Sequence, residues 1–280
     1  MKRNRWLKIA MSAVLVILGV ASIAQAQVNM LPLSPYSQDF NTLSNTAGST
    51  TNILTITGWY ISETGTSARV NQQYAVDTGS SNTGDTFSYG AAGNTDRALG
   101  SLRSGTITTT MGAGFVNNTT GTIGQISIAY NCEEWRYGVA VARTDQMDFQ
   151  YSTDATSLTT GTWTNVDALD CITTNTTGTA GARDGNTIRT PSSATITGLS
   201  ISNGNAFWIR WVDADAPGGA DDGLAVDDFS LTLFAPNAVT LNDLSASTTA
   251  SPAPLIVGGL GVAAAALLLR RKLTRPAPQN

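Results

Sequence analysis

Met147-Asp148-Phe149-Gln150-Tyr151-Ser152 alternates apolar and polar residues without a break. Side chains on an extended chain point to opposite faces with a period of two. The hexapeptide therefore reads as a strand with one face in a core and one toward water. The same alternation recurs downstream. In Phe207 to Val212 it puts Phe207, Ile209 and Trp211 on a core face and Trp208 and Arg210 on the other. Ile123 to Tyr130, Ala194 to Leu199 and Leu224 to Phe234 are further strands, with Ile126, Ile128 and Tyr130 on one face. Shorter strands are expected over Tyr36–Phe40, Thr57–Ile61, Arg97–Gly100, Gly114–Val116, Trp135–Arg143 and Trp163–Leu169. Turn residues fill Asp77–Asp85, Asn117-Asn118 and Thr173–Asn186. Roughly ten to twelve strands with turns about every 8–12 residues predict an all-β fold, a single antiparallel β-sandwich. Between the termini no window carries helical periodicity.

The ends read differently. Lys2, Arg3, Arg5 and Lys8 precede an apolar run from Ile9 to Ala24, followed by Ala24-Gln25-Ala26. A basic start, a short apolar stretch and small residues two apart predict a signal peptide over 1–26. The extracellular domain is expected over 27–235 and a Ser/Thr/Pro-rich stalk over 236–254. An apolar run over 255–269 is followed by Arg270-Arg271-Lys272. At 1.5 Å per residue that run is about 22 Å long, and snorkelling basic side chains help it cross a bilayer as a transmembrane helix. The basic tail, 270–280, belongs on the cytoplasmic side and the domain outside.

Charge is partitioned along the chain. Of 16 Lys and Arg, four stand in the first eight residues and four in the last eleven. All 20 acidic residues lie between Asp39 and Asp243, so the exported part carries a net charge near −12. Such a surface repels phosphate backbones and excludes nucleic acid as a partner class. The chain has no histidine. That removes a Ser-His-Asp triad, a Cys-His dyad and a His-ligated zinc site. Glu133-Glu134 is not a glycosidase pair by itself, because neighbours on a strand point to opposite faces.

Three sets of residues could carry function. Asp213, Asp215, Asp221, Asp222, Asp227 and Asp228 are six carboxylates within 16 residues, broken by Pro217-Gly218-Gly219. Ca²⁺ takes six to eight hard oxygens, so a structural calcium ion is expected on Asp213, Asp215, Asp222 and Asp227. Against it stands ordinary loop solvation, which Asp serves freely. Alternation counted back from Leu233 through Leu231 and Phe229 turns Asp227 inward. Trp208 and Arg210, with Tyr60, form a candidate face for stacking a sugar, against the plainer reading of sandwich packing. Cys132 and Cys171 are either bridged in an oxidising compartment or two buried thiols.

Two resemblances enter on these residues. Ser251-Pro252-Ala253-Pro254, the apolar run and Arg270-Arg271-Lys272 resemble the PEP-CTERM class of bacterial sorting tails, with Ala253 where that class has Glu. Gln38-Asp39-Phe40-Asn41 with Gly58-Trp59, Phe149 to Asp154 with Thr162-Trp163-Thr164, and Gly223 to Leu231 resemble jelly-roll or concanavalin-like domains of bacterial secreted proteins. The last of these stretches is similar to the closing strand of MAM-type domains. The resemblance implies a jelly-roll sandwich and no catalytic residues. The expected function is a cell-surface binding or adhesion module whose partner is an extracellular polysaccharide or protein. The alternatives are a structural envelope or matrix component without a specific ligand, and a carboxylate-dependent polysaccharide hydrolase.

Overall fold

The computed structural model describes residues 25–31, 34–139 and 142–236. The stalk apart from Pro236, the expected transmembrane run, the basic tail and all of the leader but its last two residues lie outside them. Among the described residues no helix is long and apolar enough to cross a membrane.

Fifteen strands run in chain order: β1 (Val28–Met30), β2 (Tyr36–Gln38), β3 (Trp59–Gly65), β4 (Tyr74–Asp77), β5 (Asp85–Tyr89), β6 (Ala98–Leu102), β7 (Ile107–Asn117), β8 (Gln125–Tyr137), β9 (Gln146–Ser152), β10 (Thr164–Asn165), β11 (Cys171–Ile172), β12 (Gly181–Ala182), β13 (Arg189–Ile196), β14 (Ala206–Asp213) and β15 (Gly223–Phe234). A single 3₁₀ turn, Asp167–Leu169, follows β10. The strands form two sheets. The first, of seven strands, has the order β1-β7-β14-β9-β10, with β3 also on β7 and β11 on β9. The second, of eight, has the order β12-β8-β15-β6-β5-β4, with β13 on β8 and β2 on β15. The all-β sandwich is therefore present. Most pairings are antiparallel, but β1 runs parallel to β7 and β4 parallel to β5.

The core lies between the sheets and is built by the expected alternation. Phe207, Ile209 and Trp211 face it from β14, Met147 and Phe149 from β9, and Ile126, Ile128 and Tyr130 from β8. The Trp211 ring meets Tyr130, Phe149 and Phe229 edge-on at 5.3, 5.1 and 5.9 Å and stacks on Trp59 at 6.2 Å. Offset and edge-to-face pairs of this kind add to what burial alone contributes. Cys132 on β8 and Cys171 on β11 form a disulfide with Cα atoms 5.2 Å apart. It ties one sheet to the other through the core.

Several expected boundaries are wrong for identifiable reasons. Asp85–Tyr89 and Ala98–Leu102 are buried along their whole length, so the first shows no alternation to read and the second shows only part of its extent. Of the strand expected over Trp135–Arg143 only Trp135–Tyr137 is strand, as the end of β8. β8 continues unbroken to Tyr137, and the described residues beyond it up to Asp145 leave the sheet. Trp163–Leu169 contributes two strand residues and the 3₁₀ turn.

The largest correction is at β15. Asp227 pairs with Asn131, whereas Ser230 pairs with Ala129, so β15 holds one extra residue against β8. Asp228 absorbs the bulge with φ 49°. The extra residue resets the alternation. Leu224 and Val226 face the inter-sheet core before the bulge, and Phe229, Leu231 and Leu233 face it afterwards. Asp227 thus shares the face of Ala225, outside the main core, and not that of Phe229.

Candidate functional site

The outer face of the seven-stranded sheet carries a row of aligned side chains. Tyr60 on β3 stands opposite Gly112 on β7, Gly112 opposite Arg210 on β14, Arg210 opposite Gln150 on β9, and Gln150 opposite Asn165 on β10. At about 4.8 Å between strands the row spans roughly 19 Å. A second row, Ser62, Thr110, Val212 and Asp148, runs beside it. All of these except buried Gly112 and exposed Asn165 are half-buried, which is where side chains on a sheet surface stay both accessible and ordered.

Hydrogen bonds fix the row. Arg210 Nε donates to Gln150 Oε1 at 2.7 Å, and Gln150 Nε2 donates to Asn165 Oδ1 at 2.7 Å. Arg210 Nη1 also donates to the Leu158 carbonyl. The guanidinium lies 3.9 Å from the centre of the Trp163 ring. Contact of this kind is favourable when the cation is partly desolvated, and burial lowers the Arg210 pKa. Trp163 is itself held by Nε1 donating to the Thr160 carbonyl at 2.8 Å.

Trp208 is not part of the exposed face. It is fully buried beneath the loop after β9, packed with Ala155 and Leu158 and flanked by Tyr60 and Trp163. The loop folds back because Ser152 Oγ donates to Asp154 Oδ1 at 2.7 Å, and that oxygen accepts the Thr162 N–H at 2.7 Å. Room for the packing comes from two glycines on β7. A Cβ at Gly114 would stand 2.8 Å from the Trp208 ring, and one at Gly112 would stand 2.1 Å from the Ile209 carbonyl oxygen. Of the expected pair only Arg210 reaches the surface. Sequence reasoning missed Trp163, Gln150 and Asn165. Gln150 was legible as the polar side of the clearest strand, but nothing in the spacing brings Trp163 onto Arg210. A cleft of about 380 Å³ lies at the β10 end, lined by Tyr151, Asp154, Thr162, Thr164 and Leu199 among others.

The four expected calcium ligands do not converge. Asp215 pairs with Arg103. Arg143, almost fully buried, lies 3.4 Å from Asp145, 3.8 Å from Asp221 and 3.6 Å from Asp222. Asp213 is buried and accepts the Ser101 hydroxyl, and desolvation holds its pKa well up. Arginines thus supply the positive charge around this loop. Asp227 lies apart from it, near Glu133 and Asp228. Among the described residues no three Asp, Glu or Cys side chains come together as a metal site.

Asp227 and Glu133 are two neighbouring buried carboxyls on the other face of the second sheet. They are 4 % and 0 % exposed, and Asp227 Oδ1 and Glu133 Oε1 have no hydrogen-bond partner. Glu133 Oε2 accepts the Trp135 Nε1–H at 2.8 Å. Desolvation, reinforced by the neighbouring carboxyl, raises Asp227 to about 8. Desolvation raises Glu133 to about 7, against the lowering effect of the Trp135 bond.

No family model matches the chain, and no curated protein matches it in sequence. Solved structures with some likeness include TmCBM61 in complex with β-1,4-galactotriose, at 12% identity and TM-score 0.29, over 51% of this chain and 74% of that one. Another is the K3 cleaved adhesin domain of Lys-gingipain from Porphyromonas gingivalis, at 11% identity and TM-score 0.33, over 72% and 93%. A third is the CBM22-1-GH10 part of Clostridium thermocellum xylanase 10B complexed with xylohexaose, at 11% identity and TM-score 0.29, over 63% and 26%. At these scores the likeness carries no functional weight.

Proposed function

We propose that the chain is a non-catalytic, surface-anchored carbohydrate-binding module whose ligand lies on the part of the row that the Leu158 loop leaves open, from Arg210 to Asn165 beside Trp163. The observation that carries this is the Arg210–Trp163 contact with Gln150 and Asn165 in register beside it. Aromatic rings offer sugar rings an apolar face, and aligned amide and guanidinium groups offer hydroxyls both donors and acceptors. The open part, two strand spacings from Arg210 to Asn165, is roughly 10 Å long. The Cys132–Cys171 disulfide supports an oxidising compartment, in keeping with the signal-like start. The basic-flanked apolar run supports anchoring.

The hydrolase reading finds its best residues in Asp227 and Glu133, whose raised pKa values suit an acid. Both are closed off from solvent, so a glycosidic bond has no route to them. Binding is the better reading.

The test is affinity electrophoresis of the full chain in detergent against a panel of soluble polysaccharides, backed by pull-down on insoluble ones. Retardation by at least one glycan, weakened about tenfold by Trp163→Ala with the melting temperature kept, is the expected result. No retardation by any glycan of either panel sinks the proposal.

A further inference from the structure

We propose that the glycan bound on this row is acidic, and that a carboxylate of one of its uronate units sits on Arg210. The inference rests on the binding role assigned to the row and narrows its ligand. Eight arginines lie between Gln27 and Pro254. Arg69, Arg103, Arg143 and Arg189 make ion pairs with aspartates. Arg97, Arg136 and Arg183 spend donors on backbone carbonyls away from the row. Arg210 stands on the row, and among the described residues no carboxylate pairs with it.

The geometry of Arg210 is suited to an incoming anion. Its Nε and Nη1 are already bonded to Gln150 and Leu158, and one face of the guanidinium lies against Trp163. The group is therefore held in one orientation before any ligand arrives. Nη2 has no hydrogen-bond partner among the described residues. A planar, pre-oriented guanidinium edge matches a carboxylate far better than it matches a lone hydroxyl, and charge-assisted bonds are roughly twice as strong as neutral ones. A guanidinium that is half-buried and left without a counter-ion pays a desolvation cost, which a bound anion offsets.

Three other charges bear on the row, the first being Asp154, which lines the cleft at the β10 end and accepts from the Ser152 hydroxyl and the Thr162 N–H. Asp148 lies in the adjacent row and is engaged by Gln146 Nε2. Arg103, just after β6, donates to the Thr108 hydroxyl near the start of β7 and pairs with Asp215. The net negative charge of the domain opposes a polyanion at long range, but screening confines that repulsion to about 8 Å at physiological ionic strength. Contact at Arg210 is inside that distance from its own charge and is not screened in the same way.

The experiment compares polygalacturonate with its methyl-esterified form, which has the same backbone and linkage without the charge, and adds β-1,4-galactan as a neutral glycan. The full chain in detergent is titrated against each by calorimetry. Polygalacturonate is expected to bind about tenfold or more tightly than its ester. Arg210→Gln is expected to abolish that difference, and Arg210→Lys to keep part of it. Should Arg210→Gln fail to fold, the unaltered chain provides the readout by salt. Affinity for the acid should fall between about 0.05 and 0.5 M NaCl while affinity for the ester holds. Equal binding of acid and ester, or binding of galactan alone, overturns the acidic ligand and leaves the binding face standing. Silence toward all three and toward the wider panels overturns both.

Discussion

Removing the Cys132–Cys171 bridge is expected to destabilise the domain by about 4 kcal/mol. The two residues are 39 apart in sequence. Opening a loop of that length restores roughly 13 cal/mol/K of chain entropy to the unfolded state, which is about 4 kcal/mol at 25 °C. The cost is not shared by other cross-links, because this is the sole disulfide and no cysteine is left free. It also falls at a sensitive place. β11 has only two residues, and the bridge joins it to β8 of the opposite sheet. For a domain of this size a loss of 4 kcal/mol lowers the melting temperature by roughly 8–16 °C. Cys171 is completely buried and Cys132 nearly so, so reductant reaches the bond slowly in the folded chain. The clean comparison is therefore Cys132→Ala/Cys171→Ala against the oxidised parent, by thermal and urea unfolding. A difference below about 1 kcal/mol would show that the link is incidental.

The second large effect concerns Asp227 and Glu133. Their folded-state pKa values, about 8 and about 7, lie well above those of an unfolded chain. A carboxyl raised on folding binds its proton more tightly in the native state, so stability falls as pH rises from the unfolded value toward the folded one. The window runs from about pH 4 to about pH 8, with a slope of up to about 1.4 kcal/mol per pH unit for each group. Asp85, raised to about 7, and Asp145 and Asp170, each raised to about 6, act in the same direction over the lower part of the window. Burial raises Asp213, Glu134, Asp221 and Asp222 as well, so they add to the fall in the same direction.

Asp227→Asn is nearly isosteric and carries no charge to bury. It is expected to raise stability at pH 8 by on the order of 3 kcal/mol, to raise it less at pH 5, and to make the fall between pH 7 and 8 shallower. Melting curves from pH 5 to 9 for parent and variant provide the check. A variant less stable than its parent at pH 8 would falsify the account of a buried carboxyl held by its proton. Millimolar Ca²⁺ serves as a second arm. If it stabilises the parent at pH 8 by as much as Asp227→Asn does, and does nothing to the variant, a cation takes the place of the proton at this pair.

The sandwich was legible because its long strands keep one wet face. Met147 to Ser152 and Phe207 to Val212 announce themselves by alternation, and both are strands of the core sheet. β5 was illegible for the opposite reason, since both its faces are covered and no period survives. The site was half legible. Alternation placed Arg210 outward correctly, and it placed Trp208 outward as well, as the backbone does. What alternation cannot see is that the loop after β9 returns over that face and roofs Trp208 with Leu158. The placing of Asp227 met a different limit. Closeness in sequence put Asp227 with Asp213 and Asp222, but the bulge at Asp228 sends Asp227 to the far side of its sheet. A single inserted residue undoes every count made across it, and no local preference of Asp228 foretells it.

One small strand bears on the order of events in the cell. β1 begins at Val28, two residues past Ala26, and its pairing to β7 is joined by the Tyr60 hydroxyl donating to the Ala26 carbonyl. A leader peptidase cutting after Ala26 needs several extended, unpaired residues on both sides of the bond. Once β1 has zipped into the sheet margin, the downstream side of that cut is no longer offered. On the reading of residues 1–26 as a leader, proteolytic maturation would have to precede margin closure, and the new terminus would be the last piece of the first sheet to find its place.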